Sequence, residues 1–255
     1  MVMSQHARIA AYFISDLHLQ ASHPRTAAAF FGFLAERAVH ADQFYLLGDL
    51  FEYWAGDDDL DSPFNASVVR ALRRVSDAGV AVFWIAGNRD FLVGPAFARA
   101  CGLTLLAEPH VTRIAGTRVA LVHGDAECTS DSAYMAFRAQ VRDPAWQAQF
   151  LAMPLAQRKA IIAGLRDGSR EAHVNKSMAI MDVTGEAIAA LHATTGCDTL
   201  IHGHTHRPAL HVDGARRRYV LPDWEFDGNT IRGGWIAIDD GGAISRVDHD
   251  GCILG

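Results

Sequence analysis

The chain has 255 residues, half of them apolar and a fifth charged, with 23 basic against 29 acidic side chains and a net charge of −6 with histidine neutral. That length exceeds the usual domain of about 100 to 200 residues, yet α/β enzymes of this size often form one domain, and the composition excludes wholesale disorder. The acidic balance argues against a generic nucleic-acid binder, since phosphate backbones attract basic surfaces, and the scattered Cys101, Cys128, Cys197 and Cys252 form neither a zinc ribbon nor a disulfide framework.

Residues 8–15 read as a strand, 25–39 as an amphipathic helix, 43–47 as a strand, 64–78 as a helix and 80–85 as a strand. Short helical or looped material over 94–100 precedes a strand at 103–106, and 111–122 reads as a hairpin turning at Ala115-Gly116. From 130 to about 195 the pattern is almost purely helical, with Pro144 and Pro154 as helix starts and 164–169 as a break. Strands resume at 199–201, 208–212, 219–221, 234–238 and 244–247, separated by Gly and Asp turns. The expected organisation is a single domain over 1–255 with a helical cap inserted at 126–195. Residues 1–8 have no signal-peptide character, and no segment approaches the about 18 uninterrupted apolar residues of a membrane span, so a cytoplasmic protein is expected.

Five short segments follow apolar runs and end in metal-ligand chemistry: Asp16-Leu17-His18, Gly48-Asp49, Gly87-Asn88-Arg89-Asp90, His123-Gly124-Asp125 and Gly203-His204-Thr205-His206. Open α/β sheets place their sites at such strand ends. Asp16 and His18 lie two apart and on a continuing strand project to the same side, a spacing that His204 and His206 repeat, with His202 completing a three-histidine run. Taken singly, Gly-Asp and Gly-Asn are also ordinary turn dipeptides, and a lone strand-end His is usually structural. All five together point to a two-metal hydrolase. Carboxylate, imidazole and carboxamide donors without thiolate favour Mn or Fe, with Zn, Co or Mg compatible.

In this order, D-x-H, G-D, G-N-R-D, H-G-D and G-H-T-H resemble the motifs of the calcineurin-like metallophosphoesterases over most of the chain. The resemblance implies an α/β fold, a four-layer αββα sandwich of two sheets flanked by helices. It also implies one metal held by Asp16, His18, Asp49 and His206 and another by Asn88, His123, His204 and a bridging Asp49, with Mn²⁺ the most expected ion. Two ions about 3.5 to 4 Å apart bind phosphate oxygens and make hydroxide available near neutral pH. Most relatives carry His after the Gly-Asn, where this chain has Arg89. A permanently charged fork stabilises phosphoryl oxygens but cannot donate a proton, which suits a leaving group that needs little protonation. Asn88 and Arg89 are therefore the expected catalytic pair.

Arg89, Leu50-Phe51-Glu52, Gly56-Asp57-Asp58-Asp59, Cys128-Thr129, Ala136-Phe137-Arg138, Ser169-Arg170-Glu171-Ala172, Asn175-Lys176-Ser177 and Ile180-Met181-Asp182-Val183 look like the UDP-2,3-diacylglucosamine pyrophosphohydrolases of lipid A synthesis. That resemblance implies water attack at the α-phosphorus of a lipid-linked UDP-sugar, and a protein lying peripherally on the cytoplasmic face of the inner membrane with no obligatory protein partner. Substrate contacts are implied at Asn88, Arg89, Asp131, Ser169, Lys176 and His204, and at His173, where some relatives carry Asn. Read locally, Asp131 and Ser169 also suit helix caps and Lys176 a solvated face. The apolar groups Phe137, Val141, Trp146, Phe150, Ile161 and Ile162 are expected to line an acyl chamber, or else to pack the cap's own core. Competing readings are a two-metal enzyme for soluble nucleotides and a non-catalytic scaffold; Arg89 and the apolar insertion argue against the first, the complete ligand set against the second.

Overall fold

Both faces of the first strands carry large apolar side chains, so each face needs a covering layer. In β1 (Ile9–Ile14), β2 (Gln43–Leu47) and β3 (Ala81–Ile85), Ile14, Leu46 and Trp84 join one core cluster while Phe13, Tyr45 and Phe83 join another. The latter three rings stack across the strands with centroids 4.9 and 4.8 Å apart. The computed structural model describes residues 8–175 and 182–254, with the side chains of 166–175 outside the described set.

Strands β1, β2, β3 and β4 (Leu103–Leu105) run parallel, and β10 (Gly234–Asp239), β11 (Ile244–Asp248) and β12 (Ile253–Leu254) extend the sheet antiparallel, in the order β12-β11-β10-β1-β2-β3-β4. Its outer face is covered by α1 (Pro24–Glu36), α2 (Pro63–Asp77) and α3 (Pro95–Cys101), which contribute Phe30, Phe33, Leu72 and Phe97. All three helices open on proline, which loses no hydrogen bond in a first turn. The second sheet has the order β5-β6-β7-β9-β8, from β5 (His110–Ile114), β6 (Thr117–Leu121), β7 (Thr199–His202), β8 (Ala209–Asp213) and β9 (Arg216–Val220). Val119, Leu121 and Ile201 face the first sheet, whereas Ala120 and Leu200 meet Leu191 of α7 (Gly185–Thr195). The three apolar clusters are thus the three seams of an αββα sandwich.

Helices α4 (Ser132–Val141), α5 (Pro144–Leu151) and α6 (Leu155–Asn175) stand over the strand ends, while α7 belongs to the sandwich. The expected break at 164–169 is corrected: α6 runs through it. A helical glycine costs only about 1 kcal/mol relative to alanine, and α6 is pinned near its start. Arg158, 1 % exposed, donates to the carbonyls of Met153 and Ala55 and to Asp58, while Ile161 and Ile162 pack on the first core cluster. The strand expected at 219–221 begins earlier, at Arg216, and pairs with β8 along its length. Among the described residues no helix is long and apolar enough to cross a membrane.

Candidate metal centre

The five motifs sit just beyond the C-terminal ends of β1, β2, β3, β6 and β7, so both sheets deliver donors to one mouth of the sandwich. Two groups form there. Ligand atoms of Asp16, His18 and His206 lie within 4.8 Å of one another, as do those of Asp49, His123 and His204. Asn88 joins the second group, its Oδ1 3.1 Å from His123 Nε2. Asp49 stands with the second group, its Oδ1 3.7 Å from His123 Nε2 and accepting from the Arg89 backbone N–H at 2.8 Å.

The backbone, not strand alternation, aims these donors. β1 ends at Ile14, and Asp16 and His18 adopt left-handed conformations (φ 55° and 48°), which corrects the expectation of a continuing strand. Asp49, His204 and His206 do the same at 53°, 67° and 52°. Left-handed backbone at non-glycine residues costs about 1 to 3 kcal/mol each and persists only where surroundings hold it. Here the amides of Leu17 and His18 donate to the Asp49 carbonyl at 2.9 and 3.1 Å, and that of His204 to Asp16 Oδ2 at 2.8 Å. Asp90 ties two loops together, accepting from Gly87 (2.9 Å), Leu50 (2.8 Å), Asp49 (3.3 Å) and Phe51 (3.3 Å).

The site is built for cations. Asp16 is fully buried, yet its Oδ1 has no hydrogen-bond partner. An unpaired buried carboxylate oxygen is costly unless a cation completes it, and the donor set suits a divalent ion. Burial disfavours charge on Asp16, but the nearby His206, its Nε2 3.6 Å from Oδ1, with His123 and His18 behind, holds the carboxyl well below the usual range. Burial also opposes a charged His123, yet Asp49, Asp16, Asp125 and Glu108 outweigh it and push the imidazole up to about 9. Burial, and then the charge of the neighbouring His123, push the His204 imidazole down to about 3. The carboxylates thus favour positive charge at this mouth, at His206 as well as at His123.

Oxygen groups stand behind three of the imidazoles, one of them, at His123, in a hydrogen bond. Glu52 Oε2 lies 3.1 Å from His18 Nδ1, Asp223 Oδ2 lies 3.6 Å from His206 Nδ1, and the Leu47 carbonyl lies 2.8 Å from His123 Nδ1. His202 leaves the three-histidine run: it is buried between the Gly203 carbonyl (2.9 Å) and Arg218 (3.1 Å), and burial pushes it down to about 4, a neutral structural ring. Sequence reasoning assigned no role to Asp90, Asp125, Glu108 or Asp223. Asp90 and Asp125 lay inside recognised motifs, and Asp223 follows the apolar end of β9, the same signal that marked the ligands.

A cleft of about 740 Å³ runs from Asp49, Asn88 and His204 to a wall of Phe137, Val141, Trp146, Phe150 and Ile162. Ile161 does not line the cleft and packs only on the core, whereas Trp146, Phe150 and Ile162 join both. Arg89 lines the cleft, and among the described residues its guanidinium makes no hydrogen bond or ion pair. Asp131 lines it too and caps α4 by accepting from Tyr134 N–H at 3.0 Å. Lys176 and the side chains of Ser169 and His173 lie outside the described residues.

Residues 10–208 match the family model described as calcineurin-like phosphoesterase. Proteins named UDP-2,3-diacylglucosamine hydrolase are similar over most of their length. That of Cellvibrio japonicus is 49% identical, covering 85% of this chain and 91% of its own. That of Chromohalobacter salexigens is 50% identical, covering 83% and 87%, and that of Escherichia coli O81 is 47% identical, covering 91% and 97%. Among solved structures, a Zn-complexed Vps29 from Entamoeba histolytica is 13% identical with a TM-score of 0.46, covering 96% of this chain and 95% of its own.

Proposed function

The chain belongs to the calcineurin-like phosphoesterases, and from that premise we propose that it hydrolyses the pyrophosphate bond of UDP-2,3-diacylglucosamine in lipid A biosynthesis. Water attacks the α-phosphorus, giving UMP and 2,3-diacylglucosamine 1-phosphate. Relatives of that name at 47% identity or more over most of both chains support the substrate. The observation that carries the reading is the cleft, continuous from the metal donors to an aromatic and aliphatic wall. A diacylated sugar needs both ends, since each buried methylene is worth about 0.8 kcal/mol.

Asp16, His18, Asp49 and His206 are proposed to hold one divalent ion, and Asn88, His123, His204 and a shared Asp49 the other, most readily Mn²⁺ given oxygen and imidazole donors without thiolate. Such ions, when bound, neutralise phosphoryl oxygens and lower the pKa of water. Arg89, which lines the cleft, supplies a fixed charge to the phosphoryl group, and Asn88 orients it. Asp131, Ser169, His173, Lys176 and His204 are proposed to bind the sugar and its phosphate. One domain spans the chain, and within 126–195 the helices α4, α5 and α6 form the cap. Exposed Tyr53, Phe137, Leu151 and Leu165 suit peripheral contact with the cytoplasmic face of the inner membrane.

Turnover of UDP-2,3-diacylglucosamine in detergent micelles with Mn²⁺ and water enriched in heavy oxygen tests the reaction. Label is expected in UMP. Absence of lipid turnover alongside hydrolysis of soluble nucleotide esters would overturn the substrate while leaving a two-metal centre.

A further inference from the structure

One face of α4 braces the donors of a single metal group. Tyr134, Arg138 and the C-cap residue Arg142, whose backbone is still helical, recur every four residues, a spacing that aligns side chains along a helix. The Tyr134 ring stacks beside His204, centroids 6.2 Å apart, and its hydroxyl donates to Asp125 at 2.7 Å. Arg138 donates to Asp125 at 2.8 Å and to Glu108 at 3.3 Å, and Glu108 accepts from the His123 backbone N–H. Arg142 donates to the carbonyls of Gly87 (2.9 Å) and Ala86 (3.3 Å), the two residues before Asn88. The other group is backed from the sandwich: Glu52 at His18, and Asp223, itself held by Arg232 at 2.7 Å, at His206.

We infer that α4, although the first helix of the cap, is a positioning element of the Asn88–His123–His204 metal position, so that an ion there and order in α4 stabilise each other while the Asp16–His18–His206 position is independent of it. This rests on the reading that each group holds one divalent ion. Partners that orient metal ligands are typically worth about 10 to 100-fold in affinity, and such coupling is reciprocal.

The test is titration of Mn²⁺ into metal-free wild type, Arg138→Met, Arg142→Met, His123→Ala and Lys159→Met. Lys159 lies on the cap but pairs with Asp59 at 2.7 Å, outside both groups. Hydrogen exchange of α4 in the unmodified protein, with and without Mn²⁺, is the second readout. Two binding steps are expected in wild type. The step lost in His123→Ala should weaken about 10 to 100-fold in both arginine variants and hold in Lys159→Met, and Mn²⁺ should slow exchange in α4. Equal weakening of both steps, or no shift in either, overturns the inference. Should Arg138→Met not fold, because Asp125 and Glu108 lose their partner, Arg142→Met and the exchange measurement decide. A single step in wild type overturns the two-ion reading itself, and the inference with it.

Discussion

A Cβ on Gly87 would overlap both the Oδ1 and the backbone N of Asp49, and no side-chain rotation relieves the second clash. Gly87→Ala is therefore expected to stay folded while losing metal from the Asn88–His123–His204 group and most activity. Elemental analysis beside circular dichroism checks this, and full metal content in a folded variant would refute it. Asp49→Ala should lose both ions and turnover. Arg89→Ala should keep both ions and lose roughly 10² to 10³-fold in kcat, the usual cost of one charge-stabilising donor; lost metal in that variant would make Arg89 structural. The donors themselves were legible, because Asp, His and Asn stood at the ends of five apolar runs. What sequence could not convey was which histidine of the run turns inward: His202 is claimed by Arg218, sixteen residues on in the chain, through strand pairing that no local pattern encodes.

At the scale of elements, periodicity located the early strands and helices because each buries a regular apolar face. It failed where other forces decide. α6 continues through Gly164 because Arg158 and Ile161 anchor its start, and the arginines opening β9 concealed a strand whose pairing with β7 and β8 outweighs its charge. The apolar stripe of the cap divides by direction: Ile161 packs on the core, Phe137 lines the cleft, and Ile162 does both. Phe137→Asp should raise KM for the diacylated substrate about tenfold or more, the kinetic equivalent of losing one buried apolar contact of about 1.5 to 3 kcal/mol. A small water-soluble phosphodiester should show little change in parallel assays. Equal losses for both substrates would assign Phe137 to the cap's own packing.

For the whole molecule, the pairing of two sheets was reached through family resemblance, since alternation along strands says which faces are buried and not which sheet covers them. Asp16, His18, Asp49 and Asn88 follow strands of one sheet, and His123, His204 and His206 follow strands of the other. Bound divalent ions should therefore fasten the sheets together. Metal at about 1,000 times its Kd contributes about 4 kcal/mol, so a chelator should lower Tm by roughly 10 °C in a protein of this size; scanning calorimetry with unchanged Tm would show that bound ions do not fasten the two sheets. Five of the seven expected donors sit on left-handed backbone, a conformation in which Asp, Asn and His are several-fold enriched among residues other than glycine. The main chain thereby filters the donor alphabet before any metal arrives: it admits hard and borderline ligands and turns away residues that do not tolerate the kink, so selectivity for the ion begins in peptide torsions.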